Sequence, residues 1–323
     1  MKKQIKILTL FFLSLFIISC ERDSQNEPLC CVGDSIVDLA TQSDDLSTLV
    51  SALQITGLDE ALTGQGPYTV LAPNNDAFAS FLTDLNVTSL NDVPVDVLTN
   101  LLLNHVIFGE VPSSSLSNGY ANTQAISSAS GTNMSIYINT DNGVNFNGVS
   151  NVLIADVYAS NGVIHIVDNV IDLPNVVTFA LADPNFGTLV QALTRNDLNQ
   201  DFVGLLSTPA SSSPSPFTVF APVNIGFDNL LSELSVNSLD DIDEPTLSSV
   251  LSYHVILDTN QLSVNLSGGM EFTTALGQNL LFNFSDTGDG VLTDNNGRTS
   301  NIIVIDIQAN NGIIHAIDTV LLP

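Results

Sequence analysis

A histidine stands three residues ahead of an aspartate in two apolar runs of the chain, NGVIHIVDNVI and NGIIHAIDTVL. The pairs are His165 with Asp168 and His315 with Asp318. A histidine oriented by a carboxylate can serve as a general base in a hydrolase, provided that a nucleophile lies within its reach. The first question is therefore whether these pairs form part of a duplicated active site.

The spacing of the pairs argues against catalysis. Both runs have the composition of β-strands, and side chains three residues apart on a strand point to opposite faces. The sequence contains no G-x-S-x-G, H-E-x-x-H or GxxxxGK[ST] motif. We therefore predict that the protein is not an enzyme and that His165 and His315 are structural. A hydrolase using either of them is the weaker hypothesis.

Nearly all of the sequence after residue 32 consists of two copies that repeat at a period of about 150 residues. PYTVLAPNNDAFASFL returns as PFTVFAPVNIGFDNLL, and LLLNHVI, with His105, returns as VLSYHVI, with His254. All four histidines belong to such repeated segments. A period of this length indicates two globular domains in tandem, at 32–174 and 175–323.

Each copy shows the same order of patterns. Helical spacing of apolar residues comes first, as at 35–58 and 186–206, and a short apolar β segment follows it. After further helical segments, the period shifts toward two, with Asn-Gly turns between the runs. We expect an α+β domain with about four antiparallel strands in its second half.

The order of these segments resembles the fasciclin (FAS1) domain, twice over. The matching segments are T-V-x-A-P…F, then H-V-I, then D-[VI]-x-A-x-N-G-[VI]-I-H-x-[VI]-D, and they span nearly everything after residue 32. The resemblance implies a wedge-shaped β-sandwich with helices packed along one edge, and a role in extracellular adhesion and matrix contacts. Asn104 departs from the family's usual tyrosine, which Tyr253 keeps. We expect the first domain to be slightly less stable at this position.

The resemblance also points to a possible adhesion contact. Asp156-Val157 and Asp306-Ile307 match the Asp-Ile position that adhesive members of the family use for integrin contact. The alternative, which we favour, is that each aspartate caps a turn and each Val or Ile packs inward.

Loops rich in Asp and Asn raise the question of metal binding. The stretches at 140–148 and 285–298 offer oxygen ligands of the kind that calcium prefers. Neither has EF-hand spacing, and Asn, Asp and Gly are the residues that hairpin turns need. We predict no metal site and no cofactor, and leave a weak calcium dependence open.

The N-terminal stretch resembles the signal of a bacterial lipoprotein. Residues 1–19 combine three lysines with an apolar run, and Ile-Ile-Ser leads into Cys20. The resemblance implies cleavage before Cys20 and its lipidation, with a tether at 20–31. The alternative is a plain signal peptide with a chance cysteine. We interpret Cys30 and Cys31 either as unreactive thiols within the tether or as cysteines that form an intermolecular disulfide.

The charge of the chain limits its partners. The formal net charge is −28, and only three arginines remain once residues 1–19 are removed. Such a body repels nucleic acid and anionic headgroups. We predict an outer-membrane lipoprotein facing the periplasm or the cell surface, which binds matrix, polysaccharide or envelope proteins. The runner-up is a glycan-binding lipoprotein, although the chain has no Trp and five Tyr to stack on sugars.

Overall fold

The computed structural model describes residues 33–323. The expected signal peptide and tether, with Cys20, Cys30 and Cys31, lie outside this range. The α+β class is confirmed, since the described chain forms two consecutive sets of helices and strands that repeat one another. Within it, no helix has both the length and the hydropathy that crossing a bilayer requires.

Three helices precede the first strand of each half, as the apolar spacing predicts, and two more follow that strand. In the first half they are α1 (Ile36–Gln42), α2 (Ser47–Thr56), α3 (Leu58–Leu62), α4 (Asn75–Asp84) and α5 (Val95–Leu103). In the second half they are α6 (Val176–Ala182), α7 (Gly187–Leu193), α8 (Phe202–Leu206), α9 (Asn224–Leu234) and α10 (Glu244–Tyr253).

Local chemistry explains where several of these helices begin. The Ser35 side chain accepts a hydrogen bond from the Asp38 N–H, and the Asp38 carboxylate accepts one from the Ser35 N–H, which closes a capping box at α1. Asn74 caps α4 by accepting from the Ala77 N–H at 2.9 Å. These caps satisfy N–H groups that the first helical turn leaves without partners.

Each half contains seven strands. In the first they are β1 (Tyr68–Pro73), β2 (Val106–Phe108), β3 (Gly119–Ile126), β4 (Asn133–Asn139), β5 (Asn145–Phe146), β6 (Ser150–Ala159) and β7 (Gly162–Val167). In the second they are β8 (Phe217–Pro222), β9 (Val255–Ile256), β10 (Met270–Thr273), β11 (Asn279–Phe284), β12 (Gly290–Thr293), β13 (Thr299–Gln308) and β14 (Gly312–Ile317).

The two sheets share one strand order but differ in closure. In the first domain, β1 to β7 form a closed barrel, and the link between β2 and β3 is the pair Ile107↔Thr123. In the second domain, the sheet runs β10-β11-β12-β13-β14-β8-β9 and stays open between β9 and β10.

The antiparallel strands expected in the second half of each domain are found, and the short first strand of each domain adds a parallel pair. β7 pairs with β1 in parallel, with His165 opposite Leu71, and β14 pairs with β8 in parallel, with His315 opposite Phe220. The helices between β1 and β2, and the strands that follow them, carry the chain back to the same end of the sheet. Parallel pairs require such a crossover.

This parallel pair explains the glycine of the first Asn-Gly-Val-Ile-His segment. Gly162 has a φ of +152°, and a Cβ at this position would lie 1.9 Å from the carbonyl oxygen of Tyr68 on β1. The glycine is therefore required by the close approach of two strands as well as by the turn before β7.

The first strand of each domain separates two apolar cores. Val70 and Ala72 face the helices, while Leu71 faces the barrel interior with Phe146 and Val167. In the second domain, Phe220 likewise packs with the sheet core. Burial on both faces accounts for a strand that is apolar at nearly every position.

The two domains are joined by a polar contact between the end of β13, with the residues after it, and β4 of the first domain, with the turn that precedes it. The Gln308 amide nitrogen donates to Ser127 Oγ at 3.1 Å, and the Gln308 N–H donates to Ser135 Oγ at 3.0 Å. The backbone of Asn310 accepts from the Ala129 N–H at 3.1 Å. Gln308 is 2% exposed, so this joint is a buried contact.

Candidate functional site

The most irregular strand of each domain is the one next to the buried histidine. The pairing of β6 with β7 shifts register between Val152 and Ile154, and again between Ile154 and Val157. β13 shifts in the same way against β14. Asp156 and Asp306 lie in these shifts with φ of +61° and +56°, in the left-handed region that few residues other than glycine adopt. Each strand therefore carries a double β-bulge.

The buried histidine holds the bulge from inside. His165 Nδ1 accepts a hydrogen bond from the Asp156 N–H at 3.2 Å, and its Nε2 lies 3.0 Å from the Val111 carbonyl oxygen. His315 repeats the arrangement with Asp306 and Gln261, at 3.3 Å and 2.9 Å. Because Nδ1 accepts, Nε2 carries the proton and donates to the carbonyl. Burial lowers the pKa of His315, which favours this neutral form.

The aspartate of each bulge caps a neighbouring turn, as the favoured interpretation expects. The Asp156 carboxylate accepts from the Ser113 N–H at 2.8 Å and from the Ser113 hydroxyl at 2.5 Å. Asp306 accepts from the N–H of Ser263 at 2.8 Å and from its hydroxyl. The Ser113 hydroxyl bond is the main cause that lowers the pKa of Asp156.

The second aspartate of each His-Asp segment has different partners. Asp168 accepts from the N–H of Asn151 at 2.7 Å and from its amide at 2.9 Å. Asp318 does the same with Asn301, at 2.9 Å and 2.7 Å. Burial acts to raise the pKa of Asp168, but the hydrogen bonds outweigh it and the net shift is downward.

The arrangement of the side chains around His165 differs from that of the catalytic triad of a hydrolase. Serine, aspartate and histidine do meet at Ser113, Asp156 and His165, but the aspartate lies between the other two. Both ring nitrogens of His165 are engaged by backbone groups, so neither is directed at the serine hydroxyl. A catalytic triad needs the histidine between the nucleophile and the carboxylate.

The residues after the bulge aspartates face inward. Val157 is half-buried against the first core, and Ile307 is 1% exposed in the core of the second domain. The Ile307 side chain is therefore not accessible to a partner, in keeping with the interpretation favoured from the sequence, in which the Val or Ile packs inward. A contact through Asp156 or Asp306 stays a prediction.

Each bulge aspartate is preceded by a run of consecutive exposed apolar residues. Leu153, Ile154 and Ala155 are exposed in succession, with Leu153 at 55% and Ile154 at 52%. Ile303, Val304 and Ile305 repeat this exposure, at 51%, 40% and 55%. We call these two sets the outer triads. A regular strand exposes every second residue, so the bulges are what turn three consecutive apolar side chains outward.

The outer triads were not predicted from the sequence, because an apolar run before an aspartate has the composition of a buried core strand. The available signal was the break in alternation itself. LIAD at 153–156 and IVID at 303–306 place three apolar residues in a row where a half-buried strand should alternate. The repetition of the same break in both copies marks it as a feature of the domain.

The other two histidines serve the core. His105 Nδ1 lies 2.8 Å from the Leu101 carbonyl oxygen, and its Nε2 accepts from the Ile171 N–H at 2.8 Å. His254 makes the same pair of contacts with Val250 and Leu321, at 2.7 Å and 3.1 Å. Burial lowers the pKa of both histidines to about 4.

Asn104, the departure from the family's tyrosine, is fully buried and bonded. Its amide donates to the carbonyls of Ile171 and Asp172 at 3.2 Å and 3.1 Å, and its oxygen accepts from the Thr123 hydroxyl at 3.2 Å. In the second domain, Tyr253 fills the position with an aromatic ring whose hydroxyl donates to the Asn279 carbonyl at 2.7 Å. The equivalent position is therefore filled by a hydrogen-bonded amide in the first domain and by an aromatic ring in the second.

A cleft of about 880 Å³ lies where the domains meet. Its apolar lining includes Val95, Val97 and Ile126 of the first domain, and Asn310 of the second also borders it. Among residues 33–323, no three potential metal ligands of the His, Cys, Asp or Glu type cluster together.

Comparison with known proteins agrees with this architecture. The family model described as the fasciclin domain matches residues 44–174 and 184–323. A FAS1 domain pair from the insect cell adhesion molecule fasciclin I superimposes with a TM-score of 0.50 at 20% identity, covering 85% of this chain and 97% of that structure. This likeness supports the fold.

Sequence relatives include animal and cyanobacterial proteins. Human periostin is 29% identical over 82% of this chain, and pig transforming growth factor-beta-induced protein ig-h3 is 28% identical over 81%. The chain spans 29% of periostin and 35% of the pig protein. Protein sll1483 of Synechocystis is 36% identical over 42% of this chain and 72% of its own length.

Proposed function

Because the chain belongs to the fasciclin family, we propose that it is a non-catalytic adhesion protein of the cell envelope. In this proposal, lipid on Cys20 anchors the chain in the outer membrane. The outer triads contact matrix, polysaccharide or protein partners. The solved relative with the same fold comes from a cell adhesion molecule, which favours a binding role.

The observation that carries the proposal is the outward exposure of the triads in both domains. The two triads occupy equivalent positions, and five of their six residues are large aliphatic side chains, each at least 40% exposed. Scattered exposed aliphatic residues are normal on protein surfaces, but consecutive ones rimmed by polar groups are typical of interaction sites. The triads are the part of the bulged strand that a partner can reach.

The absence of catalysis is supported by how the histidines are used. Both nitrogens of His165, and both of His105, are already bonded to backbone groups that the fold needs. A histidine in this position stabilises a bulge or a strand end, and freeing it for proton transfer would leave buried polar groups without partners.

A glycan-binding role is the second candidate, and exposed aromatic rings are what favour it. Phe108, Tyr158 and Phe284 are 66%, 58% and 51% exposed. Aromatic faces stack on sugars, whereas the outer triads are aliphatic. The two functions therefore use different residues and can be separated by substitution.

The test compares adhesion of cells that carry different forms of the protein in a deletion strain. Replacing Leu153, Ile154, Ile303 and Ile305 with serine should abolish the adhesion that wild type restores. The matched control replaces Leu85 and Ile225, which are 45% and 56% exposed on other surfaces, with serine. Wild-type adhesion by the triad variant would contradict the proposal, and loss only on replacing Phe108 and Tyr158 would favour glycan binding.

The anchor is tested separately. Cys20→Ala should move the protein from the membrane fraction to the soluble fraction or the medium, where it should no longer support adhesion. Retention of the variant in the outer-membrane fraction would contradict anchoring through Cys20.

A further inference from the structure

Resting on this proposed function, we propose that each outer triad binds a basic, aliphatic segment of a partner protein. Three features of the described residues carry the proposal: the consecutive apolar side chains, the carboxylates at both ends of each triad, and the lack of free positive charge on the chain itself.

The triads offer an aliphatic strip rather than isolated side chains. Leu153 and Ile154 follow one another on β6, and beyond Val152 the strand is paired only with β7 among the described strands. Exposing consecutive aliphatic residues is unfavourable in water, by roughly 25 cal/mol for each Å² left uncovered. A partner that covers the strip gains this free energy, and aliphatic side chains of its own match the strip best.

A carboxylate stands at each end of the strip. Asp156 directly follows Ala155, and Asp168 is bonded beside Asn151, two residues before Leu153. Because of the bulges, this part of β6 spans only the three residues from His165 to Asp168 on β7, so the two acidic ends lie roughly 10 Å apart along the sheet. The second domain places Asp306 and Asp318 in the same relation to its own triad.

Both carboxylates are already ionised in mild acid. Hydrogen bonds from Ser113 hold the pKa of Asp156 below its usual value, and those from Asn151 do the same for Asp168. Lysine or arginine residues flanking an aliphatic core would therefore meet a charged acceptor at each end. Such rim charges guide association and select the partner.

A second copy of this chain is a poor occupant. Arg195 and Arg298 are the only basic residues after residue 22, and both are already paired. Arg195 binds Asp197, and Arg298 binds Glu233 and Asp294. With a formal net charge of −28, two copies repel one another, and residues 33–323 of a second copy offer no unpaired lysine or arginine, so a partner of different sequence fits the triads better.

The test measures binding of a short synthetic peptide to the purified protein by calorimetry. The peptide has a valine and isoleucine core with arginines at both ends. Two control peptides replace the arginines with glutamate, or the core with serine. We expect two peptides bound per chain, affinity that falls as salt is raised, and no binding of either control peptide.

Matched variants assign the binding to the triads. Ile154→Ser with Leu153→Ser should halve the number of peptides bound, and adding the two substitutions of the second triad should abolish binding. Asp156→Asn keeps an oxygen acceptor for the Ser113 N–H and tolerates a positive φ, and should weaken the first site by roughly threefold. Leu85→Ser and Ile225→Ser should change nothing.

Failure of this inference is distinguishable from failure of the adhesion function. Equal binding of the glutamate peptide, or self-association of the chain in place of peptide binding, would overturn the inference. Adhesion that depends on the triads while the arginine peptide does not bind would also overturn it and leave the proposed function standing. Loss of triad dependence in both assays would remove both proposals.

Discussion

The imidazole of His165 accepts a hydrogen bond from the backbone N–H of Asp156 at 3.2 Å, across the bulge that exposes Leu153 and Ile154. His315 and Asp306 repeat the contact at 3.3 Å. The histidine that looked like half of an active site thus supports a backbone distortion. The exposed side chains lie on the strand that it holds.

Replacing His165 with leucine should destabilise the first domain by about 3 kcal/mol. The Asp156 N–H and the Val111 carbonyl would both lose a buried partner. Urea unfolding measures the change, and Leu153→Ser, at an exposed site, should stay within about 0.5 kcal/mol of wild type. Unchanged stability of the histidine variant would contradict the assigned role.

The free energy of unfolding should fall as pH decreases from about 6.5 to 4, a window whose upper part lies above the usual pKa values of carboxylates. Burial lowers the pKa of His105 and His254 to about 4, so the unfolded chain binds more protons than the folded one within this window. The stabilisation is complete above pH 6.5 and is lost as pH falls, by up to about 3 kcal/mol for each histidine.

Variants separate this effect from the carboxylates. The double variant His105→Gln and His254→Gln should be less stable at neutral pH, yet show a shallower decline between these pH values in urea unfolding. A slope equal to that of wild type would assign the acid sensitivity to other groups.

Asn104→Leu should lower stability by about 2 kcal/mol, because the carbonyls of Ile171 and Asp172 would lose their donor. At the equivalent position, Tyr253→Asn should cost about 4 kcal/mol through the cavity it leaves, and Tyr253→Phe about 1 kcal/mol. Thermal unfolding of the three variants measures this order. A stabilising effect of Asn104→Leu would show that the buried amide is not needed.

Gln308→Leu should weaken the joint between the domains. Its amide donates to Ser127 Oγ, so the variant should unfold in two separated calorimetric transitions if wild type unfolds in one. Tyr158→Leu, at the matching and exposed position of the first domain, is the control and should leave the profile unchanged. A single transition in the Gln308 variant would assign the coupling to other contacts.

The repeated segments predicted the fold well, because the apolar spacing within each segment reflects its own secondary structure. The apolar spacing of 35–58 predicted helices, and the two copies predicted two domains with the fasciclin architecture, which the structure and the family match confirm. The pairing of the strands was harder to predict from the sequence. The letters of NGVIHIV predict a strand but do not say that its neighbour is β1, running in parallel.

The candidate site was predicted only in part. The positions of Asp156 and Asp306 and their capping role followed from the sequence, whereas the outward turn of Leu153 and Ile154 did not. A bulge depends on backbone geometry that no single residue type dictates, and Asp156 in the left-handed region is not marked by a glycine.

The joint also distinguishes the two copies of the domain from one another. Gln308 is buried against the preceding domain, whereas the matching residue of the first copy is Tyr158, 58% exposed. Exchanging the two domains would place a tyrosine where the joint has this amide, so the bond of the amide to Ser127 would be lost. The two copies of the repeat are therefore not interchangeable at their contact.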